Sequence, residues 1–348
     1  MCGKIAINTQ SDVVCVDLPT VIHVIREGTN VAGVTSLGDD VFVVRWPTQR
    51  KIEVYNSKTF TLQRHITVSG LGGFSYGLAT CPHNNCLYAS DWSNDSVHRV
   101  ELSGSNEVME WSVALCPTGL SVNSEHNLLV VSQGESKLQI FTTYGTLLKN
   151  IQLQADIEYP SHAVQLRTGQ FLVSHEGGSL HRVCLVGVDG AVVRSYGGQK
   201  GPQLPQMDGP AGLAVDSEGS ILVADEYNHR LVVIDQLRPR ALQMSECVDG
   251  GLNRPYSLWY DQSRRRLYIG ERNLPAGGRV IVIDNLKDFT AAQVNGISSN
   301  KARQSSSVSG KELASSSTLP DRDDRNLFGT VTEEGQLKHV IETKDNSW

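Results

Sequence analysis

One phrase recurs six times along this chain, and its spacing constrains the fold more than any other feature. A glycine, or the residue in its place, precedes a short apolar run at intervals of 44, 42, 43, 50 and 45 residues. The six positions are Gly33, Gly77, Gly119, His162, Gly212 and Ser257. Periods of roughly 40–50 residues are typical of propellers and solenoids. The chain of 348 residues is therefore expected to form one repeat architecture rather than two unrelated domains.

The clearest unit predicts how each repeat folds. Residues 211–235 contain three apolar runs, AGLAV, SILVAD and RLVVID, separated by DSEG and EYNH. Runs of this length, rich in Val, Ile and Leu and bounded by turn formers, are typical of β-strands. A weaker fourth run follows in most units, at 62–70, 148–153, 192–198 and 242–250. Four antiparallel strands in each of six units predict an all-β, six-bladed propeller.

The last unit lacks a fourth run, and the start of the chain supplies a candidate for it. The segment TVIHVIREG (20–28) resembles the other fourth runs, and we expect it to pair with RVIVID (279–284). This pairing would close the ring with an N-terminal strand and protect the edges of its first and last sheets. Ile22 and Val24 would then lie beside the sixth blade.

The two ends of the chain are expected to lie outside the ring. We predict an N-terminal extension at 1–19, a six-bladed propeller at 20–289 and a largely disordered tail at 290–348. The tail is rich in Ser, Lys and Asp and has few apolar residues to offset the entropy of ordering. Its final alternating stretch, 327–343, would be frayed, form a hairpin or bind a partner.

Composition excludes several classes of protein. The formal net charge of −6 gives no global attraction to nucleic acid or anionic lipid. No apolar run approaches the roughly 18 residues of a membrane span, and Asp12 and Asp17 interrupt any signal-peptide core. The seven scattered cysteines predict reduced thiols and a cytoplasmic location. We also expect a monomeric propeller without a membrane partner.

The phrase VADEYNHRLVVID (223–235), together with the preceding glycine and apolar run, closely resembles the NHL repeat. NHL units usually form six-bladed propellers, so the resemblance agrees with the count above. The overall pattern is similar to the propellers of tripartite-motif proteins, but no pair of CxxC motifs of a RING or B-box occurs. The resemblance implies capture of a protein or RNA, in ubiquitin-related or regulatory complexes, by a chain that is not itself a ubiquitin ligase.

Some six-bladed relatives are metal-dependent lactonases or lyases, which hold a metal ion at the central channel. The residues before the repeat glycines, expected at one mouth of the channel, supply no metal ligand, and His162 adds a single imidazole. A catalytic metal needs several carboxylates or imidazoles. A second ring at the ends of the second strands offers more: Arg45, Asp91, Gln133, His175, Asp225 and Glu271. Hydrogen bonding within each blade, such as from Asn228 and Arg230 to Asp225, is the favoured interpretation of this ring, and metal binding is the alternative.

A turn with three possible metal ligands also has two interpretations. Cys81, His83 and Cys86 lie within the segment CPHNNC. A structural zinc site needs four ligands, so a solvated hairpin turn is the favoured interpretation. We therefore predict no metal, no cofactor and no enzymatic activity.

A basic and aromatic patch is the predicted contact surface. Closure of the ring brings loops of blades six and one together on the channel-mouth face. The candidate partner-binding residues are Arg45, Trp46, Arg50, Lys51, Tyr76, Arg254, Tyr256, Arg272 and Arg279. Tyr, Trp and Arg anchor many protein interfaces, and basic residues among aromatics also suit single-stranded RNA. Protein or peptide capture is the first hypothesis, RNA binding the second and metal-dependent hydrolysis the third.

Overall fold

The chain folds into a ring of six four-stranded antiparallel sheets. The structure is a computed structural model, and it describes residues 4–8, 13–17, 20–26, 28–47, 50–74, 77–104, 106–234, 239–242, 248, 250–272 and 277–284. The predicted all-β, six-bladed propeller is therefore confirmed. The predicted tail at 290–348 lies outside the described residues.

Each blade contributes its strands from the channel outward in chain order. Blade one contains β4 (Asn30–Leu37), β5 (Asp40–Trp46), β6 (Lys51–Asn56) and β7 (Leu62–Thr67). Blade two contains β8 (Leu78–Cys81), β9 (Cys86–Asp91), β10 (Ser96–Glu101) and β11 (Val108–Ser112). Blade three contains β12 (Pro117–Val122), β13 (Leu128–Ser132), β14 (Lys137–Phe141) and β15 (Leu147–Gln152).

The second half of the chain repeats this order until the last blade. Blade four contains β16 (Pro160–Gln165), β17 (Phe171–Gly177), β18 (Leu180–Val186) and β19 (Val192–Gln199). Blade five contains β20 (Pro210–Val215), β21 (Ile221–Asp225), β22 (Arg230–Ile234) and β23 (Pro239–Leu242), with a 3-10 turn at Glu226–Asn228. Blade six contains β24 (Pro255–Asp261), β25 (Arg266–Glu271), β26 (Val280–Asp284) and the N-terminal β3 (Thr20–Ile25).

The N-terminal strand closes the ring as the sequence predicts. Strand β3 pairs antiparallel with β26, and Val24 lies opposite Ile281. Ile22 and Val24 pack at the edges of the cores on the two sides of blade six. Upstream of the ring, β1 (Lys4–Asn8) and β2 (Val13–Asp17) pair with each other as a separate hairpin.

The apolar core consists of six clusters, and each one fills the space between two adjacent blades. The cluster between blades six and one contains Ile25, Val280 and Val282 on one side and Val41 and Val43 on the other. Because every blade buries both faces, its strands carry near-continuous apolar runs, as in Leu128–Ser132, rather than a simple alternation. Blade packing therefore explains the strong apolar phrase that repeats in the sequence.

The repeat glycine lies where the inner strands of neighbouring blades approach most closely. A Cβ atom on Gly212 would lie 2.6 Å from the carbonyl oxygen of Tyr256 in the next blade. At the two repeat positions that are not glycine, Ser257 and His162, a hydrogen bond to the next blade takes the place of this close approach. Ser257 Oγ accepts from the backbone N–H of Val34 at 3.1 Å, and His162 Nδ1 accepts from that of Leu213 at 3.4 Å.

Candidate functional site: the loop face of the propeller

The ring has two chemically different faces because its strands alternate in direction. We call one of them the loop face. It carries the loops that join each second strand to the third and each fourth strand to the next blade. The opposite face, the turn face, carries the hairpin turns between first and second strands and between third and fourth strands. The predicted contact residues that the structure describes lie at or beside loop-face loops, between Arg45 and Lys51 and between Arg254 and Arg279.

Two of the predicted contact residues are buried in ion pairs. Arg45 Nε lies 2.9 Å from Oε2 of Glu53, and Arg45 also donates to the carbonyl oxygens of Thr29 and Gly278. Arg279 Nε lies 2.5 Å from Oε2 of Glu271. Both arginines are less than a tenth exposed. This corrects the predicted contact set, since these side chains hold strands and loops together instead of presenting charge to a partner.

Among the remaining members of the predicted patch, two arginines make contacts within the protein and two cations are exposed to solvent. Arg254 forms two hydrogen bonds with Oε1 of the buried Glu226, at 2.6 and 3.1 Å. The Arg272 guanidinium stacks on Tyr256, 3.1 Å from the ring centroid. Arg50 and Lys51 are exposed. Tyr76 lies outside the described residues.

The second predicted ring is a set of structural pairs rather than a cage around the channel. In blade five, Asp225 accepts hydrogen bonds from Asn228 and Arg230 and from the backbone N–H of Asp208. This is the interpretation that the sequence favoured for Asp225. Glu271 pairs in the same way with Arg279 and the N–H of Asn253.

Other blades build the same structural pair with different residues. In blade two, Asp91 pairs with His98 at 3.2 Å and accepts from the N–H of Gly72 at 2.6 Å. Blade one exchanges the charges, with Arg45 on the second strand and Glu53 on the third. In these four blades, the side chains of the second ring therefore bond to neighbouring groups of their own blade.

Blade four replaces the carboxylate with a histidine. Arg182 Nε donates to His175 Nε2 at 2.8 Å, so the imidazole is a neutral acceptor. Burial and the neighbouring Arg182 cation lower the pKa of His175 to about 4. Asp156, from the loop before this blade, supplies the missing negative charge at 2.6 Å from Arg182.

The residue that follows each pair occupies an equivalent place around the channel mouth. In four blades its backbone N–H donates to the preceding loop: Trp92 to Phe74, Gly134 to Leu115, Glu226 to Gly209 and Arg272 to Arg254. With the matching positions of blades one and four, these residues form what we call the mouth ring: Trp46, Trp92, Gly134, Glu176, Glu226 and Arg272. Sequence analysis singled out only Trp46 and Arg272 from this set as contact residues.

The mouth ring has an aromatic side and an acidic side. Phe74 lies between the two tryptophans, with ring centroids 5.9 Å from Trp46 and 6.0 Å from Trp92. Three blades further on, burial is the main cause of the raised pKa of both Glu176 and Glu226, and the charge of Glu226 raises the pKa of Glu176 further. The pKa of Glu176 rises to about 7.

The central channel below this mouth has a volume of about 900 Å³. Its lining includes the small residues Ala32, Ser161 and Ala211 from the positions before the repeat glycines. His162 lies on its wall, where Nε2 donates to the carbonyl oxygen of Leu120 at 3.2 Å. Burial lowers its pKa to about 4. This histidine therefore links blade three to blade five across its own strand.

The metal-binding alternatives have little geometric support. Within the described ranges, no group of three or more His, Cys, Asp and Glu side chains is placed to hold a metal ion. Cys81 and Cys86 are buried free thiols, paired in register at the ends of β8 and β9. The CPHNNC segment is the hairpin turn between these strands, on the turn face. In the part of the chain that the structure describes, no helix is long and apolar enough to cross a membrane.

Comparison with known proteins supports the repeat at its clearest copy. Residues 207–234 match the model of the NHL repeat. The chain is 23% identical over 124 residues to Protein brain tumor of Drosophila melanogaster. That match covers 34% of this chain and 11% of the other, so the chain spans about a tenth of the length of this relative.

Solved structures share the architecture at low sequence identity. The hydrazine synthase of Kuenenia stuttgartiensis has a TM-score of 0.55 at 14% identity, over 74% of this chain and 96% of that one. Virginiamycin B lyase of Staphylococcus aureus, a catalytically inactive variant with quinupristin, has a TM-score of 0.54 at 11% identity, over 80% and 87%. A protein of unknown function from Bacteroides thetaiotaomicron has a TM-score of 0.58 at 15% identity, over 74% and 70%. At these identities the likeness concerns the fold alone. The chain is a six-bladed β-propeller that matches the NHL repeat at residues 207–234.

Proposed function

We propose that the chain is a non-catalytic binding module that captures a protein or peptide partner on its loop face. The observation that carries this proposal is the aromatic cluster at the channel mouth, in which Phe74 is exposed and two tryptophans are partly buried. Phe74, 38% exposed, stands between Trp46 and Trp92. Aromatic side chains on a rigid scaffold give large contact area at low entropic cost, which is typical of interface anchors.

The distribution of charge favours a peptide over RNA. Arg45, Arg254 and Arg279 of the predicted basic patch are each paired with a carboxylate of the same face. Pairing removes most of the positive potential that would attract phosphates, because single-stranded RNA is held largely through such charges. The proposal therefore retains the predicted face but moves its centre from the arginines to the mouth ring.

Capture by the full chain tests this proposal with two matched variants. Phe74→Glu introduces a charge on the loop face, and Leu147→Glu does so on β15, where the side chain is 47% exposed. Protein partners recovered with the wild-type chain are expected to disappear with Phe74→Glu and to persist with Leu147→Glu. Equal loss with both variants, or loss with Leu147→Glu alone, would place the partner elsewhere.

RNA binding is the second candidate, and the exposed cations Arg50 and Lys51 favour it. If RNA is the ligand, affinity for a single-stranded RNA pool falls steeply between about 50 and 200 mM salt. Substitution of both residues with Glu would then abolish this binding. Absence of RNA binding at low salt removes this candidate.

A further inference from the structure

Of the two acidic members of the mouth ring, Glu226 has a cation in contact among the described residues and Glu176 has none. Its neighbour Glu226 accepts two hydrogen bonds from Arg254, at 2.6 and 3.1 Å. Among the residues that the structure describes, none donates a hydrogen bond to the Glu176 carboxylate or forms a salt bridge with it. The side chain is nevertheless half-buried. A carboxylate held in this way loses hydration and gains no compensating contact.

The local backbone holds this carboxylate in place at the mouth. Gly209, with a φ of +68°, passes directly beneath it, and a Cβ atom there would lie 3.0 Å from Oε2 of Glu176. The ring of Tyr227 lies on the same side of Gly209, 2.5 Å from the same hypothetical Cβ atom. The position of Glu176 therefore follows from a close approach that a glycine allows.

The cations near Glu176 are engaged with other groups. Lys200 Nζ lies 3.2 Å from Oδ1 of Asp208. Arg272 stacks on Tyr256, and its charge lowers the pKa of Glu176. The charges of Glu226 and Asp208 act on Glu176 in the opposite direction and, with burial, keep its pKa near 7. A positively charged ligand group in contact with Glu176 would offset this excess of negative charge.

The aromatic cluster adds a second recognition element on the same mouth. Trp46, Phe74 and Trp92 come from blades one and two, whereas Glu176 and Glu226 come from blades four and five. Gly134, between the two sides, contributes no side chain that would fill the mouth. A ligand lying across this face would meet aromatic rings at one end and a carboxylate at the other.

From this arrangement, and resting on the proposed function, we propose that the mouth ring binds a peptide segment in which an arginine or lysine contacts Glu176 and a nearby apolar side chain packs on Phe74. Charge complementarity selects the cation, and burial against aromatic rings supplies affinity. A simple metal ion fits less well, because the described residues include no set of three ligands placed for one. The two parts of the site fix the orientation of the peptide, since each recognises a different end.

Synthetic peptides test this inference on the full chain. The probes are acetylated, amidated octapeptides with one Phe and one Arg separated by one to four Gly or Ser residues, at pH 8. Matched sets carry Glu instead of Arg or Ser instead of Phe. We expect saturable binding of at least one Phe/Arg peptide, with a loss of about tenfold or more when either residue is replaced.

Protein variants then locate the binding. Glu176→Gln is expected to weaken the best Phe/Arg peptide by about tenfold. Glu125→Gln, which neutralises an exposed carboxylate on the turn face, should leave the affinity unchanged. Affinity of the wild-type chain should also rise from pH 6 to pH 8 as Glu176 ionises against Glu226, Asp208, Lys200 and Arg272, and the Gln variant should lose this dependence.

The possible failures are distinguishable from one another. Equal binding of the Arg and Glu peptides, or an unchanged affinity in Glu176→Gln, would overturn the inference. If no peptide binds while Phe74→Glu still abolishes partner capture, the proposed function stands and the preference for a basic peptide is wrong. If capture is insensitive to Phe74→Glu as well, both proposals fail.

Discussion

Arg279 donates from Nε to Oε2 of Glu271 at 2.5 Å, and both side chains are buried at the loop-face end of blade six. The same arginine donates to the carbonyl oxygen of Gly251 at 2.7 Å, so it also fixes the loop that enters the blade. An arginine in this position stabilises the ring and is shielded from a partner. This relationship separates the stability of the blade from the recognition chemistry of the mouth.

Loss of this arginine is expected to destabilise the fold. Arg279→Gln leaves Glu271 buried without its cation, which typically costs about 3–5 kcal/mol of unfolding free energy. Lys51→Gln, on the exposed loop-face rim, should change it by less than about 0.5 kcal/mol. Urea denaturation followed by circular dichroism measures both values. A neutral effect of Arg279→Gln would mean that the pair is not formed.

In blade one the structural pair has its charges exchanged, with Arg45 on the second strand and Glu53 on the third, so a charge swap tests whether the two side chains interact. Arg45→Glu and Glu53→Arg should each destabilise the chain, because each places like charges together in a half-buried site. The double variant should recover part of the loss, with a coupling energy of about 1–3 kcal/mol. Recovery will be incomplete because Arg45 also donates to Thr29 and Gly278. Additive effects in the double-mutant cycle would show that the two side chains do not interact.

Glu176 should make stability depend on pH in a specific direction. Burial, first, and the nearby Glu226 raise its pKa from 4.5 to about 7. Between these values the folded chain keeps a proton that the unfolded chain has lost, so this residue makes stability fall as pH rises toward 7. Glu176→Gln should therefore match the wild type near pH 4.5 and exceed it by about 1–3 kcal/mol at pH 8. Thermal unfolding at both pH values checks this, and a variant that is less stable at pH 8 would contradict it.

Ring closure depends on a single N-terminal strand. Ile25, 4% exposed, belongs to the core between blades six and one. Ile25→Ala should cost about 2–4 kcal/mol of unfolding free energy. Thr20→Ala, at the exposed start of the same strand, should cost less than about 0.5 kcal/mol. Equal, small effects in urea denaturation would indicate that β3 contributes little to the ring.

The fold was predictable because packing between blades requires the same residue pattern in every repeat. Gly77, Gly119 and Gly212 mark the points where inner strands approach each other, and the apolar runs after them record burial on both faces. The missing fourth strand of the last unit predicted that 20–28 pairs with 279–284, and in the structure Val24 lies opposite Ile281. The fourth strand of blade five is β23 (Pro239–Leu242), which begins before the expected 242–250; most of that expected segment lies outside the described residues.

The site was harder to predict because charge pairing is a property of three-dimensional neighbours. Arg45 and Arg279 have the same residue type as an exposed interface anchor, and the sequence does not show that Glu53 and Glu271 neutralise them. Glu176 carried no distinctive motif. Alignment of the repeats on the ends of the second strands would have placed it in one column with Trp46, Trp92, Glu226 and Arg272, which is the signal that was available.

The central claim is that the loop face, at the mouth ring, is where the partner binds. Hydrogen–deuterium exchange of the full chain, with and without the captured partner or the best Phe/Arg peptide, tests this most directly. We predict slower exchange in the loop-face segments around Phe74, Trp92, Glu176 and Tyr227, and no change in the turn-face hairpins at 82–85, 123–127 and 166–169. Protection confined to those hairpins, with the loop face unchanged, would contradict the account.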